Sequence, residues 1–173
     1  MIRTCDDRDI AAILEIVNDA AQAYRGVIPD DCWHEPYMPE SELRQELAAE
    51  VRFFGWSEHG RLLGVMGLQA VDDAALIRHA YVRTAARGRG IGSALLAHLR
   101  TEAAAPLLVG TWAAAHWAIA FYERHGFVLN VPEEGQRLLA RYWKISPRQA
   151  ETSVVLSDSH PFRDMLVGHR RRP

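Results

Sequence analysis

The chain has 173 residues, a length that favours a single domain, and 20 basic against 22 acidic residues leave a formal charge of −2. That balance excludes a global field able to recruit nucleic acid or an anionic membrane. A composition of 49% apolar and 24% charged residues is ordinarily globular, neither disordered nor fibrous.

A domain of this size buries roughly 70% of its unfolded surface, so it needs no disulfide or metal to hold it together. Cys5 and Cys32 form neither a disulfide framework nor a CxxC metal pair. No charged-then-apolar leader follows Met1, so the expected setting is cytoplasmic with reduced thiols. Residues 103–122 carry no charge over a membrane-spanning length. Pro106, Gly110, Thr111 and His116 interrupt that run, however, and a strand followed by a helix accounts for it better than a span.

In chain order, residues 2–5 read as a short strand closed by Asp6, which is placed to cap the next helix. Ile10, Ile13, Leu14, Val17, Ala21 and Tyr24 then recur at helical spacing. Gly26 and Pro29 end that helix and open a loop holding Trp33, His34 and Tyr37. A second helix is predicted over residues 39–50, followed by strands at 52–57, 62–70 and 75–82. The middle of the chain predicts a helix over 91–104, a buried strand over 107–111, a helix over 115–125 and a strand over 127–131. Pro132, Glu133 and Glu134 mark another helix start, carrying Leu138, Leu139 and Tyr142. A last strand is predicted at 152–156. Residues 1–158 are thus read as one α/β (α+β) domain of three layers, and 159–173 as a basic, frayed tail.

The sharpest motif is Arg87-Gly88-Arg89-Gly90-Ile91-Gly92, set between a strand and a helix. Three glycines let backbone approach a ligand closely, and the N-terminus of the helix adds a partial positive charge, so a phosphate or pyrophosphate is the natural guest. Between Ala74 and Thr101 there is no acid, whereas Arg78, Arg83, Arg87, Arg89 and Arg100 all fall there. Lys144 is the only lysine of the chain, and an arginine bias is either genomic or a sign of anion recognition by the guanidinium fork. A Walker loop fails for want of Gly-Lys-Ser/Thr, and a dinucleotide fingerprint fails because Ser93 stands where the third glycine belongs.

With Arg87, Gly90 and Gly92 filling the pattern Arg/Gln-x-x-Gly-x-Gly/Ala, and a second block running Ala118-Ile119-Ala120-Phe121-Tyr122-Glu123-Arg124-His125-Gly126-Phe127, the sequence resembles the general-control-related N-acetyltransferase (GNAT) superfamily. The resemblance is close over residues 75–127 and looser over the element order from 2 to 156. It implies a twisted mixed sheet of six to seven strands, splayed in the middle and covered by helices on both faces, with acetyl-coenzyme A (acetyl-CoA) as co-substrate and no metal. It assigns Ala80, Tyr81 and Val82 to the pantetheine and thioester carbonyl, and Arg87, Gly88, Arg89, Gly90, Ile91, Gly92 and Ser93 to the pyrophosphate. Backbone N–H groups at the splay would stabilise developing oxyanion charge.

Tyr122 matches the family's general acid, which protonates the leaving sulfur. His79 is the candidate base, since imidazole titrates in the useful range. Alternation does not tell which face His79 takes, because this strand of the family often carries a bulge. Where the family commonly has an asparagine contacting the coenzyme amide, this chain has Ala115, so His116 or Thr111 is left to supply the contact. Tyr24, Arg25, Trp33, His34, Glu35 and Tyr37 are the candidate acceptor-binding residues, with the alternative that Trp33 and Tyr37 seal the loop against the core. Trp112 and Trp117 are expected to pack in the core.

The implied function is transfer of acetyl to a primary amine on a small molecule, an amino acid or a peptide. The competing reading is an acyl-CoA sensor on the same fold without turnover. Neither nucleic acid nor membrane is an expected partner, and the resemblance admits a homodimer formed at a sheet edge.

Overall fold

Asp6 turns the chain out of the first strand: its carboxylate accepts from the Arg8 N–H, while Asp9 reaches back to the Asp6 N–H. This reciprocal cap directs β1 (Ile2–Thr4) into α1 (Ile10–Ala21). The computed structural model describes residues 1–160, and the expectation of a frayed basic tail falls almost wholly on residues 161–173, which lie outside the described residues. The other strands are β2 (Arg52–Glu58), β3 (Arg61–Val71), β4 (Ala74–Val82), β5 (Leu107–Trp112), β6 (Phe127–Leu129) and β7 (Ser153–Asp158). Together the seven form one mixed sheet in the order β1-β2-β3-β4-β5-β7-β6, in which only β4 and β5 pair in parallel.

Period-2 alternation along the strands sends one set of side chains to each face. Ile13, Ile16 and Val17 of α1 bury against Phe53 and Val65 of the sheet and Leu43 of α2 (Glu40–Ala48). The opposite face receives Leu95, Leu96 and Leu99 of α3 (Ile91–Glu102), packed on Phe54, Met66, Ile77 and Val109, with Tyr122 of α4 (His116–Arg124) and Phe127. A helix after β6, α5 (Pro132–Tyr142), buries Leu139 on Leu76, Leu108 and Val155. Leu76 and Ile77 are consecutive, so α5 lies on the face away from α3. Three layers result, as the element pattern implies.

The predicted strand over 127–131 stops at Leu129, because Val131 already serves as the N-cap residue of α5. The first helix ends at Ala21 and tightens into a 3-10 turn through Tyr24. A short α6 (Pro147–Glu151), capped by the Ser146 hydroxyl on the Gln149 N–H, has no counterpart in the sequence reading. The uncharged run at 103–122 divides into β5 and the start of α4, and among the described residues no helix is long and apolar enough to cross a membrane.

Arg100 of α3 clamps the end of β7, with its Nε 2.7 Å and Nη2 3.1 Å from the two Asp158 oxygens, and it also donates to the His125 carbonyl. Burial works to raise the Asp158 carboxyl, but Arg100 and the His160 N–H together hold it below the ordinary carboxylate value. A lowered folded-state value means stability that is present above the unfolded value near 4 and is lost as pH falls through the folded one. Asp158→Asn should therefore cost about 2 kcal/mol at pH 7 by chemical denaturation, and the gap to wild type should close as the measurement is moved below pH 4.

Candidate active site

The sheet opens at its centre. Parallel pairing of β4 with β5 runs through Ala75↔Leu107, Leu76↔Leu108 and Ile77↔Val109, then stops. Antiparallel pairing with β7 continues along β5 to Trp112, which draws β5 away. On the other side β4 stays with β3 but bulges: Arg78 pairs with Gly67 and Tyr81 with Val65, so His79 and Ala80 together oppose Met66. His79 takes the left-handed φ of 49° that the extra residue demands. The strand edge from Arg78 to Val82 that faces β5 is therefore left without a strand partner.

Two hollows meet in this gap. One, of about 500 Å³, lies on the α3–α4 face and is lined by Val82, Arg87, Gly92, Phe121 and Tyr122. The other, of about 430 Å³, lies on the α2–α5 face and is lined by Tyr37, Glu46, Arg78, Trp143 and Lys144. Tyr24, Ile77, His79, Tyr81, Gly110 and Thr111 line both, so the two hollows adjoin at the gap.

The glycine loop sits at the mouth of the larger hollow. Gly88 and Gly90 have φ of 75° and 76°, and a Cβ at either would point into open space. Gly90 is the N-cap residue of α3 and no side chain caps the helix there, so its first-turn N–H groups are free to receive an anion. A Cβ on Gly92 would sit 3.4 Å from the Phe121 ring, the contact at which α3 and α4 pack. The Ser93 hydroxyl lies 2.9 Å from His125 Nε2, whose Nδ1 lies 2.7 Å from the Phe121 carbonyl oxygen. It thus fastens α3 to α4.

Acids from distant parts of the chain neutralise most of the acid-free segment. Arg78 pairs with Glu46, Arg83 with Glu15, Arg89 with Glu58 and Arg100 with Asp158. Of the five arginines only Arg87 has no carboxylate partner among the described residues; its guanidinium donates to the Ala20 carbonyl at 3.1 Å and lines the larger hollow. Arg124 of α4 lines the same hollow, so the local charge there is two arginines plus a helix end.

Tyr122 is 5% exposed, held edge-on between Phe121 and Phe127 with ring centroids 5.1 and 5.4 Å away. Its hydroxyl has no hydrogen-bond partner among the described residues, and burial pushes its pKa up. A phenol in that state keeps its proton at neutral pH and acts as a donor.

The acceptor-side residues divide. Tyr24 and Tyr37 pack at 5.4 Å, Tyr24 meets the Tyr81 ring edge-on at 6.3 Å, and Trp112 Nε1 donates to the Tyr37 hydroxyl at 2.9 Å. Burial raises the pKa of all three tyrosines. His34 lines the smaller hollow and stacks on Tyr37, whereas Trp33 lines neither hollow and backs Tyr37 at 5.7 Å. Arg25 and Glu35 form an exposed pair at 3.9 Å. Trp112 is buried as expected, but Trp117 is 45% exposed and stacks on Tyr24 at 5.8 Å. It faces outward on α4 and forms a side of the larger hollow. Ala115 is fully buried against Ile28 and Trp112, and of the two residues proposed to replace an asparagine there, Thr111 lines the gap and His116 does not.

Sequence reasoning missed Glu46 and the segment from Lys144 to Arg148. Glu46 carried a weak signal, being an acid that flanks the apolar arc of Leu43 and Leu47 on an otherwise polar helix. The packing of Trp143 carried none: it fills the space left by Gly110, where a Cβ would lie 3.3 Å from its ring.

The model of the acetyltransferase (GNAT) family matches residues 12–127, and the chain belongs to that family. Among solved structures it is similar to PaiA N-acetyltransferase from Thermoplasma acidophilum in complex with coenzyme A, at TM-score 0.68 and 15% identity over 91% of this chain and 97% of that one. A GNAT-family acetyltransferase from Staphylococcus aureus gives TM-score 0.68 and 15% identity over 91% and 98%. The ribosomal-protein-S18-alanine N-acetyltransferase from Escherichia coli gives 0.64 and 18% over 91% and 92%. No curated protein sequence matches the chain.

Proposed function

We propose that the protein transfers acetyl from acetyl-CoA to a primary amine by direct attack in a ternary complex. The observation that carries this reading is the hollow at the β4–β5 splay, with an uncapped glycine loop at its mouth and the Tyr122 hydroxyl, which has no hydrogen-bond partner among the described residues, on its wall. The residues present fit the coenzyme: a Cβ-free loop beside Arg87 suits pyrophosphate, and the unpaired edge at Ala80, Tyr81 and Val82 suits an amide-bearing arm. When bound, the coenzyme supplies an activated acetyl thioester.

In this reading the loop from Arg87 to Ser93 binds the pyrophosphate through backbone N–H groups, and Thr111 takes the amide contact that Ala115 has lost. His79 accepts the proton of the attacking amine as the carbon–nitrogen bond forms, and Tyr122 donates its proton to sulfur as the carbon–sulfur bond breaks. Tyr24, His34 and Tyr37 line the acceptor's approach, with Trp33 backing them. Residues 1–158 constitute the transferase domain.

Release of coenzyme A thiol on a panel of amines tests the reading. Protection against melting by acetyl-CoA, without thiol release on any amine, would instead identify a sensor. Protection by ATP or NAD in its place would sink both. Gly90→Ala should cost about 1 kcal/mol of stability through its left-handed φ, and should also reduce the melting shift given by acetyl-CoA, because the added methyl occupies the open side of the loop.

A further inference from the structure

The gap holds a titratable partner of His79, Glu46, that the acyl-transfer scheme above leaves unused. His79 Nε2 lies 3.1 Å from Glu46 Oε2, an oxygen that Arg78 Nη2 also approaches to 2.7 Å as an ion pair, and among the described residues these two atoms are the only fully buried side-chain polar atoms without an aligned hydrogen bond. They face each other, short in distance and off the line of a full hydrogen bond, an alignment that catalytic pairs reach only when substrate is bound.

Each group is held from behind. The His79 ring stacks on Phe53 at 5.9 Å, with 22° between the planes. Glu46 accepts from Arg78 Nη2 at 2.8 Å, Arg78 Nη1 donates to Gln69 Oε1 at 2.6 Å, and the Gln69 amide donates to the Ala49 carbonyl just past the end of α2. Burial works to raise the Glu46 carboxyl, but His79 and Arg78 outweigh it, so the group is held below the ordinary carboxylate value. Arg78 already supplies the cation that a buried carboxylate needs. An ion pair alone would not require the bulge that turns His79 onto the same face as Arg78 and gives a non-glycine residue a left-handed φ.

We infer that Glu46 is a positioning residue for His79: its carboxylate selects the imidazole tautomer with the proton on Nε2, leaving the Nδ1 lone pair to take the proton of the acceptor amine. The inference rests on the acyl-transfer reading and names what that reading lacked, the group that orients its base. No glutamate occurs on β4; the tertiary structure brings one from α2 to the bulge. An imidazole fixed in the wrong tautomer is a poor base however well it is placed.

The test combines kinetics with a readout independent of turnover. Glu46→Met, which keeps the volume and removes the acceptor, should lower kcat about 100-fold with KM for acetyl-CoA nearly unchanged, while Glu46→Gln, which keeps an acceptor oxygen, should recover most of the loss. In a His79→Gln background Glu46→Met should have no further effect on kcat, because the two residues act as a unit. An equal loss in both backgrounds would mean that Glu46 serves only the fold and would overturn the inference. Nitrogen NMR of labelled histidine at alkaline pH should show His79 with its proton on Nε2 in the wild-type protein. A proton on Nδ1 overturns the inference even if Glu46→Met fails to fold. Wild-type protein that binds acetyl-CoA without releasing thiol, yet shows the Nε2–H tautomer, would defeat the acyl-transfer reading and leave the positioning contact standing.

Discussion

Tyr122→Phe is expected to lower kcat about 100-fold while leaving the melting shift given by acetyl-CoA nearly intact. The ring is wedged between Phe121 and Phe127, and phenylalanine preserves that packing. The hydroxyl has no hydrogen-bond partner among the described residues, so its removal orphans no neighbouring group and should cost little stability. In the proposed acyl-transfer reading, only proton delivery to the leaving sulfur is lost. Burial keeps the phenol protonated, so this group should impose no alkaline loss of activity below its ordinary value near pH 10. The check is steady-state kinetics from pH 6 to 9 beside a thermal-shift titration. Unchanged kcat across that range would remove Tyr122 from the chemistry.

The largest stability effect is expected at Leu99→Ala, about 3 kcal/mol by urea denaturation. Leu99 is 0% exposed on α3, in the cluster that includes Phe54, Met66, Leu95 and Tyr122. Sheet strands surround the site, so it collapses poorly around a cavity, and a cavity term adds to the lost transfer energy. Against a total of about 5–15 kcal/mol for a domain of this kind, the loss is a large fraction. The same cluster backs the wall of the larger hollow, yet the stability that remains keeps nearly all of the chain folded, so kcat and the affinity for acetyl-CoA should be nearly unchanged at about 25 °C. Trp117→Ala gives the contrast: an exposed ring leaves stability nearly unaltered and widens the hollow that it borders.

Much of this was legible in one dimension because its causes are local. The cap at Asp6, the apolar faces of α1 and α3, the glycine loop before α3 and the helix start at Pro132 each depend on residues within a few positions of one another. Strand ends were less legible: β6 stops at Leu129 because Val131 is claimed by α5. Trp117 was misplaced for a similar reason. Hydrophobicity says that an indole prefers burial, but α4 turns this one toward Tyr24 and the open side of the gap.

Charge is where the two descriptions part most clearly. By itself the sequence determined a near-neutral domain, its element order, a glycine loop before a helix and a tyrosine in a helix-to-strand block. It also presented an acid-free segment with five arginines, which reads as a concentrated cationic field. Only the tertiary structure decided that Glu15, Glu46, Glu58 and Asp158 answer four of them and leave Arg87 at the loop. It alone decided that His79 turns to meet Glu46, because the face taken by a bulged residue depends on where the neighbouring strand slips its register. Backbone preferences act over a few residues and can be read along the chain; electrostatic partners act through space, and the fold chooses them.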